Sequence, residues 1–151
     1  MKTAQVGNKV PPFTGQTHTG ETLSLEDFKG KKWVVFFYPK ANTPGCTAEA
    51  CDLRDHYKTL LDAGYHLLGV SADTVKQQKN FADKYAFPFP LLADTEKELI
   101  NAFGVWGPKK FMGREYYGIH RKTFIVNEEG VITHVIDQVK TKEHASQILA
   151  L

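Results

Sequence analysis

Cysteine is scarce in this chain of 151 residues: there are two, Cys46 and Cys51. Two are too few for the multi-bridge framework of a small secreted domain. A chain of this length also buries roughly 70% of the surface its unfolded form exposes, so it needs no such staple. No run reaches the ~18 apolar residues of a membrane-spanning helix. No charge excess points to nucleic acid or an anionic surface, because 19 Lys and Arg stand against 17 Asp and Glu. The opening MKTAQVGNKVPPF has no apolar segment of a secretory leader. The haem-attachment motif C-x-x-C-H is missing, and His56 lies too far beyond Cys51 for common zinc spacings. Repeats, low-complexity tracts and interdomain linkers are missing too. The expectation is one cytoplasmic domain over residues 1–151, without metal, organic cofactor, nucleic acid or membrane. In that compartment a cysteine pair is catalytic or redox-sensing more often than structural.

What the chain does have is apolar runs separated by helical patterns. Trp33 to Tyr38 are six consecutive β-formers without alternation, which predicts a strand covered on both faces. A second such strand is expected over His66–Ser71, a short one at Leu91 and Leu92, and a hairpin from Lys122–Val126 and Val131–Ile136 around Asn127–Gly130. Helices are expected from Thr43 to Ala63 with Gly64 as stop, from Val75 to Tyr85 after a cap at Asp73 or Thr74, from Glu96 to Phe103, and from Lys142 to Ala150. The first helix shows an apolar stripe of Ala50, Leu53, Tyr57, Leu60 and Leu61. Residues 1 to 30 read as an irregular start with a small edge strand near Thr22 and a helical turn at LEDF. Trp106 to Gly118 has no clear period and reads as a long functional loop. Alternating strands and helices ending in a hairpin and helix predict an α/β domain, a mixed sheet flanked by helices, in a thioredoxin-like layout.

Both cysteines fall in one decapeptide, Asn42–Cys51, NTPGCTAEAC. Thr43 is a good N-cap and Pro44 suits the first helical position, so Cys46 enters the first turn. Unpaired N–H groups and the macrodipole favour an anion there, and a thiolate is the reactive form. A helix terminus supplies only ~0.3–2 kcal/mol to a charge. That is too little to hold a thiolate fully formed at neutral pH, so a cation is needed as well, and neither composition nor spacing says which. On an intact helix, positions five apart have Cα atoms ~8.7 Å from each other. A disulfide tolerates only up to ~7 Å. Cys46 and Cys51 can therefore join only if the first turns unwind. The bland alternative is two inert core cysteines.

NTPGCTAEAC, preceded by Tyr38-Pro39-Lys40, resembles the active-site signature of the peroxiredoxins, whose pattern Pro-x-x-x-Thr-x-x-Cys is met by Pro39, Thr43 and Cys46. The second cysteine, with FGVWGPKKFMG and GIHRKTFIV downstream, is similar to the bacterioferritin-comigratory-protein, or peroxiredoxin Q, class. The likeness runs from VGNKVPPF to the last helix. It implies a thioredoxin-like peroxiredoxin fold and a thiol-dependent peroxidase. Cys46 would be the peroxidatic cysteine and Cys51 the resolving one. Thr43 would hydrogen-bond thiolate and peroxide, Pro39 would shield the pocket from water, and Arg121 would be the missing cation. The backbone N–H of Cys46, with or without that of Gly45, would help to stabilise the developing charge.

The resemblance further implies a hydroperoxide substrate, a dithiol reductant such as thioredoxin, no cofactor, and a monomer, with a dimer as alternative. The chain has neither the Gly-Gly-Leu-Gly loop nor the C-terminal Tyr-Phe helix of easily over-oxidised members, so the expectation is that Cys46 resists sulfinic acid formation. Glu49 reads as a helix-surface charge, or else as an orienter of Arg121. Arg54 and Asp55 read as a helix-face ion pair. Trp106, Lys109, Phe111 and Met112 line the approach to the site or simply pack, and His120 reads as structural rather than as a base. Two further classes fit a cysteine pair at a helix start. A protein disulfide oxidoreductase would carry C-x-x-C there, and a redox-switched chaperone would consume no peroxide catalytically.

Overall fold

The apolar run at Trp33 forms strand β3 (Trp33–Phe37), every residue of which is buried. The computed structural model describes residues 1–151. β3 pairs in parallel with β4 (His66–Ser71) and antiparallel with β8 (Lys122–Val126). Around them lie β1 (Thr14–Thr17), β2 (Thr22–Ser24), β5 (Leu91–Ala93) and β9 (Ile132–Ile136), giving one mixed sheet in the order β2-β1-β5-β4-β3-β8-β9. Side chains alternate across a strand, so β3 feeds two cores. Trp33, Val35 and Phe37 enter the core beneath the N-terminal segment and α4 (Glu98–Ala102). Val34, Phe36 and Tyr38 enter the other, under α1 (Pro44–Asp55), α2 (Tyr57–Asp62), α3 (Val75–Tyr85) and α5 (His144–Leu149). The expected mixed sheet flanked by helices is what forms.

Register brings the distant pieces together. Phe37 at the end of β3 is paired with Lys122 at the start of β8. β3 runs on through Tyr38 into α1, so the residue preceding β8, Arg121, lies beside the beginning of α1. The connection is itself tied down, because Asp73 Oδ2 accepts the Ala41 N–H at 2.7 Å and the Ser71 hydroxyl at 2.6 Å.

Four expectations need correction. Trp106 to Gly118 is not a loop: β6 (Trp106–Phe111) and β7 (Arg114–Ile119) form a two-stranded hairpin outside the main sheet. Its two-residue turn has both φ angles positive, 51° at Met112 and 80° at Gly113, the geometry that matches strand twist. Most of its residues face water, so no apolar alternation marks it. The expected helix to Ala63 is two helices. At His56 (φ −112°, ψ 15°) the chain leaves helical geometry and the imidazole Nδ1 sits 2.8 Å from the Asp52 carbonyl, competing with the ladder. After the break the apolar face is reset, which leaves Leu61 exposed while Leu60 is buried. The outer helices are shorter than expected at Glu98–Ala102 and His144–Leu149, and strand β1 lies in the stretch expected to be irregular.

Candidate active site

Cys46 is the third residue of α1 and is 2% exposed, packed with Ala50 and Leu53 on the buried face. Thr43 takes the extended backbone of an N-cap (φ −97°, ψ 158°), and its carbonyl accepts the first helical bond, from Thr47 N–H, at 2.8 Å. The hydroxyl does not cap. It donates to the Lys40 carbonyl at 2.7 Å, closing the loop that contains the left-handed residue Asn42. Its proton is thus committed to Lys40, and its oxygen keeps lone pairs for accepting. Pro39 is half-buried directly after Tyr38, whose N–H donates to the Val70 carbonyl at 3.1 Å.

Arg121 is the cation at this helix start. Its Nη2 lies 3.3 Å from Cys46 Sγ and its Nη1 lies 2.7 Å from Glu49 Oε1. One planar guanidinium so holds the thiol and a carboxylate together, which a lysine ammonium cannot do in the same fixed geometry. Burial works against the Arg121 charge, but Glu49 and Cys46 outweigh it and hold its pKa above the ordinary value. The close approach requires Gly45, since a β-carbon there would stand 3.2 Å from Nη2.

Glu49 is a correction to the surface-charge reading: it is 0% exposed. The helical step from Cys46 to Glu49, Ala50 and Leu53 is three, four and seven residues, so Glu49 sits within the apolar face. Burial pushes its carboxyl up to about 7, against the pull of Arg121. Cys51 lies on the same helix, half-buried, and both cysteines are free thiols. Burial raises the Cys51 pKa, Arg54 opposes this and Asp55 adds to it. Arg54 Nη2 does reach Asp55 Oδ1 at 2.9 Å, and its Nη1 also donates to the Tyr85 carbonyl at 2.9 Å.

The β6–β7 hairpin contributes Lys109, whose Nζ donates to the Ile119 carbonyl at 2.9 Å. Burial lowers its pKa, Arg121 lowers it further, and Cys46 raises it, so the amine senses the site. His120 Nε2 donates to the Pro108 carbonyl at 3.0 Å, a bond that ties the hairpin base rather than serving a reacting atom. Trp106 lies under Lys97 Nζ at 4.8 Å, while Phe111 and Met112 are exposed, Met112 by 87%. No cluster of three or more His, Cys, Asp or Glu side chains has a metal-binding arrangement, and no helix is long and apolar enough to cross a membrane.

Residues 6–135 match the model of the AhpC/TSA family. The chain belongs to this family. Within it, the relatives of this peroxiredoxin are of the Bcp, or peroxiredoxin Q, class. Peroxiredoxin Bcp of Escherichia coli K12 is 43% identical over 99% of this chain and 96% of its own length. A relative from Haemophilus influenzae that also bears the Bcp name is 46% identical over the same shares. The bacterioferritin comigratory protein of Xanthomonas campestris, solved in trapped intermediate and ligand complexes and described with alkyl peroxide reduction activity, superposes with a TM-score of 0.85 at 36% identity, over 91% of this chain and 88% of its own. The thioredoxin-like peroxiredoxin fold expected of the chain is thus its fold.

Proposed function

We propose that this peroxiredoxin is a thiol-dependent peroxidase that reduces hydrogen peroxide and organic hydroperoxides through Cys46. The observation that carries the reading is the 3.3 Å approach of Arg121 Nη2 to Cys46 Sγ at the start of α1. The Cys46 thiolate attacks the terminal peroxide oxygen, the O–O bond breaks, and water or an alcohol leaves once its oxygen is protonated. Arg121 and the N–H groups of the first helical turn hold the charge that develops on the peroxide oxygens. Thr43 accepts a hydrogen bond from the incoming O–H, as its own proton is donated to Lys40. Pro39 limits water at the pocket.

The resulting sulfenic acid is attacked by the Cys51 thiolate, releasing water and forming an intrachain disulfide. The free thiols on one intact helix support a cycle in which α1 unwinds to allow this step. A dithiol protein of the thioredoxin kind then reduces the disulfide by exchange. In this reading the enzyme is a cytoplasmic monomer.

Steady-state peroxide consumption coupled to thioredoxin and thioredoxin reductase tests the assignment. Cys46→Ser abolishes turnover. Cys51→Ser allows one equivalent of peroxide to react and then stalls. Peroxide turnover that survives loss of Cys46 would sink the reading.

A further inference from the structure

Behind the Arg121 guanidinium a buried carboxyl faces a buried imidazole. Glu49 on α1 and His144 on α5 are both 0% exposed, and Glu49 Oε2 lies 3.5 Å from His144 Nε2. Oε1 is engaged by Arg121, whereas Oε2 is the one buried side-chain nitrogen or oxygen with no hydrogen-bond partner.

The bonds around His144 define where its own hydrogen sits. Gln147 Nε2 donates to the Gln138 carbonyl at 2.9 Å, so the amide oxygen is the atom turned to His144 Nδ1 at 2.8 Å. That same oxygen accepts the Lys140 N–H at 2.9 Å. An amide oxygen only accepts, so Nδ1 bears the hydrogen and, in a neutral ring, Nε2 bears a lone pair. The Thr123 hydroxyl, 2.7 Å away, donates to that lone pair when no other proton takes it, and its oxygen accepts when Nε2 carries a hydrogen. An ionised Glu49 would then aim a bare Oε2 at a lone pair, in a place where an unpaired polar atom carries its full desolvation penalty. One added proton, on Oε2 or on Nε2, removes the conflict.

We propose that Glu49 and His144 share one proton in the reduced protein, making His144 a positioning residue for Arg121 and the Cys46 thiolate. The proposal rests on the peroxidase reading for its consequence, which is a charge balance. With the shared proton the Glu49–His144 pair is neutral, and the Arg121 charge is left for the thiolate. Without it, Glu49 neutralises Arg121 and the thiolate becomes a surplus buried anion. The pH range is set by Glu49, held near 7 by burial against Arg121, while burial pushes His144 below its usual value, so the proton rests towards the carboxyl. The other groups facing the pair are few. Asp52 on α1 accepts the Ala145 N–H at 2.8 Å and favours charge on His144, Arg121 opposes that charge, and Gln147 and Thr123 are neutral. Beyond them His56 Nδ1 lies 3.6 Å from Asp52 Oδ1, and Lys109, bonded to the Ile119 carbonyl, is coupled by charge to Arg121 and Cys46.

Rapid-mixing kinetics of Cys46 oxidation by hydrogen peroxide against pH, with and without His144→Gln, give the test. The wild-type rate constant carries a limb that falls above about 7. The amide introduced by His144→Gln donates to Oε2 and keeps Glu49 ionised. That variant is therefore slower at pH 6 by about tenfold, the ratio one pKa unit represents, and loses the limb. Adding Glu49→Gln to His144→Gln restores the rate, since a neutral amide stands in for the protonated carboxyl. A merely structural histidine predicts neither the lost limb nor the rescue. An unchanged profile in His144→Gln, or a double variant no faster than it, overturns the proposal. Independently of activity, ¹⁵N NMR of His144 and carboxyl infrared difference spectra against Glu49→Gln locate the proton at pH 6. A carboxylate beside a neutral imidazole there overturns it too. A wild-type protein that ignores peroxide sinks the peroxidase reading, and the spectra still decide the shared proton.

Discussion

Arg121 packs directly on Gly45, with Nη2 3.2 Å from where a β-carbon of that residue would stand. Gly45 is the second residue of α1, immediately before Cys46. Alanine is favoured over glycine inside a helix by up to ~1 kcal/mol, so Gly45→Ala gains helix propensity. It also makes the guanidinium give way by a few tenths of an ångström, which disturbs its 3.3 Å contact with Sγ. The expected outcome has opposite signs: thermal stability unchanged or raised, and peroxide reduction slowed. Thermal melts and peroxide kinetics on the same preparation check it, and full activity would show that the contact at Cys46 tolerates displacement.

Arg121→Lys keeps the charge and loses the fork. An ammonium can serve Glu49 Oε1 or Cys46 Sγ but not both at 2.7 and 3.3 Å in one plane. Peroxide reduction is expected to fall by about ten- to a hundredfold, the ~1.5–3 kcal/mol of a charged hydrogen bond. Arg121→Met should fall further and also lose stability, since it leaves Glu49 without its cation. Equal activity of Lys and Arg at this position would remove the two-point contact from the mechanism.

The Glu49 carboxyl gives stability a pH signature. Its folded-state value of about 7 is raised above the ordinary 4.5. Between these values the folded protein holds a proton that the unfolded chain releases, so the contribution is complete below about 4.5 and lost as pH rises through 7. At ~1.36 kcal/mol per unit this amounts to at most ~3 kcal/mol. His144 acts with the opposite sign: its value is lowered, so the unfolded chain takes up the proton first and stability falls as pH drops below 6.5. Denaturant unfolding at pH 5 and pH 8 should find Glu49→Gln more favourable, relative to wild type, at pH 8 by up to ~3 kcal/mol. An identical difference at both pH values would contradict this assignment.

Gly104→Ala should be among the most damaging small substitutions. Gly104 has φ +65° and a β-carbon there would be 1.9 Å from the Lys2 carbonyl oxygen. The adjoining bonds from Ala4 N–H to Phe103 at 2.9 Å and from Thr3 Oγ1 to Gly104 at 3.1 Å fasten the N-terminal segment there. Loss of several degrees in Tm is expected, together with N-terminal proteolysis that the wild type resists. An unchanged Tm would mean that this segment yields freely.

Much of this arrangement is written locally and some of it is not. The run Trp33–Tyr38 announces β3 because both its faces are covered, and Thr43-Pro44 announces the start of α1 because cap and proline rules act within four residues. Arg121 is 75 residues from Cys46, so only resemblance nominates it, and only the antiparallel register of β8 on β3 explains why it arrives. Glu49 is legible in principle, because it shares the three-four-seven stripe of Cys46, Ala50 and Leu53, but a carboxylate is by default a surface residue and the stripe reads as apolar without it. His144 leaves no signal, since its partner Thr123 is 21 residues away and lies on a strand. The β6–β7 hairpin escapes because a strand wetted on both faces has no hydrophobic period to read, though Met112-Gly113 marks its turn.

The break at His56 sets a boundary for any motion of α1. Helical cooperativity passes through consecutive backbone bonds, and at His56 that ladder is loosened: its N–H is shared between the Arg54 and Asp52 carbonyls, the latter at 3.3 Å, while the Leu60 N–H still reaches the His56 carbonyl at 3.0 Å. Melting that starts at Pro44 therefore meets a weak joint after 12 residues, beyond which Leu60 on α2 is anchored in the core. The loosened joint works as a fuse: the first turns at Pro44 can open ahead of α2, and the Asp52 bond to the Ala145 N–H at 2.8 Å holds the far end of the same helix to α5 as the place from which it re-forms.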